Sequence, residues 1–72
     1  MIELTKLNRK KFILNSDLIE TVESTPDTVI TLRNGKLYIV AETPEEIVDI
    51  TLKYKRQMFA DLLGKLMSTS EA

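Results

Sequence analysis

The stretch Thr28-Val29-Ile30-Thr31-Leu32-Arg33-Asn34-Gly35-Lys36-Leu37-Tyr38-Ile39-Val40-Ala41-Glu42-Thr43-Pro44-Glu45-Glu46 decides the fold, because within it a two-residue period gives way to a helix start. The β-branched residues at 28–31 favour an extended strand. Asn34-Gly35 accepts the two positive φ angles of a type I′ hairpin, so residues 37–41 are expected to return as the neighbouring strand. That strand is apolar almost throughout, which suits a central strand with one face on a helix or burial on both faces. Thr43, Pro44 and Glu46 then occupy the places of a helix cap, a first helical residue and the reciprocal member of a capping box.

Upstream, Ile2, Leu4 and Lys6 alternate with Glu3, Thr5 and Leu7. Asn8-Arg9-Lys10 forms a polar turn, and Phe12-Ile13-Leu14 resumes an apolar strand. Asn15-Ser16-Asp17 can bond their own backbone and interrupt pairing. Residues 18–23 follow as an amphipathic strand whose start can include a helical turn. Thr25-Pro26-Asp27-Thr28 suits a tight turn with Pro26 in second place. The expected class is therefore α+β: a small antiparallel sheet of about five short strands within 2–41, a meander of hairpins, followed by one long C-terminal amphipathic helix at about 44–67. Residues 1–67 form one domain and 68–72 a frayed tail.

Projected at 100° per residue, Ile47, Ile50, Tyr54, Met58 and Leu62 make one helix stripe, expected to cover the sheet. Val48, Leu52, Phe59, Leu63 and Leu66 make a second beside it. Together they span roughly 220°, where a surface helix needs little more than about 100°. One small sheet does not readily cover both, so the second stripe is the candidate interface with another protein or another copy. Gly64 either ends the helix or is carried through it at about 1 kcal/mol.

Composition narrows the function. With 72 residues and neither Cys nor His, the chain has no disulfide, no thiolate nucleophile and no imidazole for metal binding or proton shuttling. No cofactor and no metal are expected. A core this small supplies about 3–5 kcal/mol without a staple, which favours a homo-oligomer. The net charge of -1 lacks the basic field of nucleic-acid binders, so no nucleic acid is expected as partner. The start Met1-Ile2-Glu3-Leu4 is unlike an export signal. Residues 58–67 are interrupted by Asp61, Gly64 and Lys65, far short of the ~20 apolar residues that span a bilayer. A cytoplasmic protein is expected.

Among the carboxylates, Glu20, Glu23, Asp27 and Glu42 are the candidate acids and bases, but strand edges and turns account for them, and no enzyme is expected. The basic run Arg9, Lys10 and Lys11 suits either a solvated hairpin tip or contact with an acidic partner. Residues 53–67, with Lys53, Lys55, Arg56 and Lys65 against Asp61, carry a basic amphipathic character that gives a membrane-surface or assembly-adaptor role as the alternative reading.

Leu4-Thr5-Lys6-Leu7-Asn8, Phe12, Leu14-Asn15, Leu18-Ile19-Glu20, the run from Thr25-Pro26-Asp27-Thr28 to Leu32, Gly35-Lys36, Tyr38, Val40 and Glu42 stand in an order and spacing that resembles the flagellar FlbD family, whose swarming members are called SwrD. The resemblance covers about the first 54 residues. It implies a cytoplasmic motility protein close to the flagellar motor at the inner face of the membrane, supporting motor power through contacts with a flagellum-associated protein. One departure is visible: the family often has Gly where Arg9 stands, so the first turn is expected to differ in geometry.

Overall fold

A computed structural model describes the backbone of residues 1–71 and the side chains of residues 1–67; the tail expected to fray, 68–72, lies outside those side chains. Strands come first and the helix last: β1 (Ile2–Thr5), β2 (Lys11–Leu14), a single 3-10 turn (Ser16–Leu18), β3 (Ile19–Ser24), β4 (Thr28–Leu32), β5 (Leu37–Val40) and α1 (Pro44–Glu71). The five expected strands are present, but in two antiparallel sheets, β1-β2 and β3-β4-β5. The division falls at Asn15, whose Oδ1 accepts from the Asp17 N–H at 3.0 Å and turns the chain out of the ladder.

The sheets meet again at another place. Lys6 bridges Val40, the Ala41 N–H donates to the Thr5 carbonyl at 2.8 Å, and the Thr5 N–H donates to Glu42 Oε1 at 2.9 Å. The end of β1 is thereby held against the end of β5. Across this joint the rings of Phe12 and Tyr38 stack with centroids 5.3 Å apart, and the Lys6 ammonium lies over Phe12.

One core lies within this fold, and it is mostly strand. Ile2, Leu4 and Leu14 come from the first sheet, Ile30, Leu32 and Val40 from the second, and Ile47 alone from α1. The inward residues of the two sheets cover each other, so the helix plugs the core rather than roofing a single sheet. This corrects the expected core stripe. Ile47 is buried, Ile50 and Tyr54 pack at its margin, but Met58 and Leu62 are about half exposed at 52% and 53%. The sheets end before the helix does. β5 keeps a clean alternation, with Tyr38 and Val40 inward and Leu37 and Ile39 outward, so it is covered on one face only.

The helix start is the one the sequence spells. The Thr43 N–H donates to Glu46 Oε1 at 3.2 Å and the Glu46 N–H to Thr43 Oγ1 at 3.1 Å, a complete capping box. Gly64 is carried through, and a Cβ there would meet nothing within 4 Å. At about 1.5 Å per residue, 28 residues make a rod of about 42 Å. The radius of gyration is accordingly 15.3 Å, against the roughly 11 Å of a compact domain this size.

The two hairpin turns are built alike. In the first, Arg9 N–H donates to the Lys6 carbonyl, Lys6 N–H to the Lys10 carbonyl, and Lys10 N–H to Asn8 Oδ1. In the second, Gly35, Leu32, Lys36 and Asn34 repeat those bonds position for position. Each is a three-residue loop closed by one left-handed residue, Arg9 at φ 70° and Gly35 at φ 86°. The type I′ expectation for Asn34-Gly35 is therefore corrected: only Gly35 has positive φ, because Asn34 spends its side chain on the Lys36 N–H instead. Between β3 and β4, the Thr25-Pro26 bond is cis and the Thr25 N–H donates to the Asp27 carbonyl at 3.2 Å.

Candidate interaction surface

α1 leaves the sheets after Tyr54, and every described side chain at 55–67 is exposed. The second stripe is exposed along its whole length, from Val48 at 58% to Phe59 at 62% and Leu66 at 57%, with Leu52 and Leu63 somewhat less so. Beyond Tyr54, Met58 and Leu62 join it, because no strand reaches that far. A run of large apolar side chains on one projecting rod is more than the scattered exposure normal for a surface.

Two hollows flank this face. The first, about 290 Å³, is floored by Ser16, Ile19 and Val22 and walled by Val48, Leu52 and Lys55 of the helix. The second, about 470 Å³, lies farther along, between Asp17 and Tyr54, Met58, Phe59 and Leu62. Lys55 borders both and reaches Asp17 Oδ1 at 3.7 Å, an exposed pair that contributes little stability. Ser16 Oγ, beneath the groove floor, is buried without a hydrogen-bond partner among the described residues.

The structure thus brings Val48 and Leu52 to one hollow and Phe59 to the next, while Leu63 and Leu66 lie beyond both on the open rod. The groove floor was not legible in the helix pattern. Its residues belong to the 3-10 turn and the start of β3, and only the Asn15-Ser16-Asp17 interruption hinted that this corner stands off from the sheet. The outer sheet face is not covered as burial on both faces would require: Tyr38 and Val40 point inward, and Leu37 and Ile39 are exposed.

The basic run does not gather into a cluster with the helix face in any described contact. Arg9 sits at the tip of its turn, Lys10 follows it, and Lys11 pairs with Glu3 at 3.8 Å on the solvent side of the first sheet. Glu42, one of the candidate acids, is engaged structurally. Burial pushes its carboxyl up, but hydrogen bonds from Thr5 and its own N–H, with the charge of Lys11, outweigh that and hold it below the ordinary carboxylate value. A carboxylate spent on joining two sheets is not poised as a base.

No helix of the described residues is long and apolar enough to cross a membrane. No curated protein and no solved structure matches the chain. Residues 1–59 match the family described as "FlbD: Flagellar and Swarming motility proteins", a span that takes in both sheets, the joint at Glu42 and the helix as far as Phe59. With most of its length matched, the chain belongs to the FlbD family of flagellar and swarming motility proteins.

Proposed function

We propose that this chain is a non-enzymatic cytoplasmic motility protein that supports the power of the flagellar motor through protein–protein contacts, the exposed face of α1 being an interaction surface. The observation that carries this reading is the projecting half of the helix, residues 55–67, with Met58, Phe59, Leu62, Leu63 and Leu66 exposed on a rod that no strand covers. Such side chains find cover by entering a protein groove or by accepting a helix into their own.

A protein occupant is favoured over a lipid surface by shape. Val48, Leu52 and Phe59 flank open hollows beside Ser16, Ile19 and Asp17, a relief that suits interdigitating side chains better than the plane of a bilayer. Liposome co-sedimentation checks the lipid alternative directly. The functional test is deletion of the gene with filaments counted and swimming torque measured. Normal filament number with reduced torque supports motor action; loss of filaments moves the role to assembly.

A further inference from the structure

We propose that the occupant of the α1 face is a second copy of this chain, packed as an antiparallel pair of α1 helices about a two-fold axis at the level of Gln57. The inference rests on the reading of that face as an interaction surface and names its partner. It starts from a spacing: Val48, Leu52, Lys55, Phe59, Leu62 and Leu66 stand four and three residues apart in alternation, the seam of a left-handed helix pair. Five of the six are apolar, and all six are exposed.

The seam is its own complement only when one helix is reversed. The pairs Val48 with Leu66, Leu52 with Leu62 and Lys55 with Phe59 are all centred on position 57, so a two-fold there makes six continuous layers, as an isologous interface requires. In the central layers the Lys55 stem lies over Phe59 of the second copy. Leu63, at the edge of the seam, adds flank.

Two features of the monomer are answered by this one arrangement. The distal half of α1 has no sheet to cover it, and the proximal half borders an empty apolar groove over Ser16, Ile19 and Val22. Reversing one helix lays the uncovered half of each copy along the grooved half of the other, so each supplies what the other lacks. Charge selects the same direction. The helix dipoles oppose, whereas a parallel pair would align them and set Glu45 and Lys55, both on the seam line, beside their own copies. The one like-charge contact of the antiparallel pair is Arg56 with its copy beside the two-fold axis.

Sedimentation equilibrium of the full chain at tens of micromolar is expected to show a dimer. Leu66→Glu, which touches no core residue, should weaken it at least tenfold. Arg56→Ala should tighten it. Spin labels on single cysteines, introduced into a chain that has none, read the direction. Across an antiparallel pair, labels at Glu45 are separated by about 36 Å along the axis and labels at Arg56 by about 3 Å; a parallel pair gives a similar short distance at both sites. A monomeric wild type or equal distances overturns the proposal. If the wild type is monomeric and Leu66→Glu still abolishes motility, the docking reading stands with a different partner; if Leu66→Glu changes neither assembly nor motility, that reading falls as well.

Discussion

Replacing Arg9 by glycine is expected to stabilise the domain, and the molecule contains its own control. The two hairpin turns share their closing backbone bonds and a bond from the Lys N–H to the Asn side chain, yet one places Arg9 and the other Gly35 in the left-handed position. An L-residue held there costs about 1–2 kcal/mol, and glycine gives back about 0.5–1 kcal/mol through its freer unfolded chain. The net gain for Arg9→Gly is about 0.5–1 kcal/mol. For a domain of this size that raises the melting midpoint by about 2–8 °C. The reverse lesion, Gly35→Ala, meets no neighbouring atom within 4 Å and should cost about 1 kcal/mol for its φ alone. Urea titrations of both variants at one protein concentration, with unchanged slope, measure the two numbers. An unchanged or lowered midpoint for Arg9→Gly refutes the argument. A variant that is more stable but less motile would show that Arg9 is retained for contact with an acidic partner.

Glu42→Gln should cost about 1 kcal/mol, less than the roughly 1.5–3 kcal/mol of a charged acceptor because the bond is only part-buried. Since the folded carboxyl titrates below its ordinary value of 4.5, its contribution is complete above that pH and is lost as pH falls through the lower folded value; acid unfolding of the wild type should carry this dependence and Glu42→Gln should lack it. Gly64→Ala, with open space around it and a helical backbone, should stabilise by up to about 1 kcal/mol in thermal melts. Ile47→Ala should cost about 2–5 kcal/mol and Met58→Ala well under 1 kcal/mol, and comparable losses at the two sites would contradict the placement of the core.

Much of this fold was legible because local chemistry and tertiary structure agree. Thr43 and Glu46 form the capping box their spacing announces, and the alternation at Thr28–Leu32 is the alternation of burial, with 28, 30 and 32 inside. What was not legible is how the strands are grouped. Nothing in a period of two distinguishes one five-stranded sheet from two sheets that cover each other, since both bury alternate residues. The misplacement of Met58 and Leu62 follows from that. A helix projection assumes a sheet as long as the helix, whereas the sheets here reach only to Tyr54. The candidate face was readable as an excess of apolar residues, Val48, Leu52, Phe59, Leu63 and Leu66, but its groove was not, because Ser16 comes from the 3-10 turn, and Ile19 and Val22 share a face of β3 only through the register irregularity between Ile19 and Thr21.

The joint between the sheets, a single bridge from Lys6 to Val40 beside the Thr5 and Glu42 bonds, has a consequence for how the molecule opens. By hydrogen bonds alone, the β1-β2 hairpin could swing away as a flap. It would carry Ile2, Leu4 and Leu14 into water, and three such side chains correspond to about 5–9 kcal/mol of lost burial. That exceeds the roughly 3–5 kcal/mol holding a domain of this size together. The hairpin therefore has no cheaper way to open than loss of the whole fold, and slow hydrogen exchange at the Leu4 and Ala41 amides should report one cooperative unit spanning both sheets.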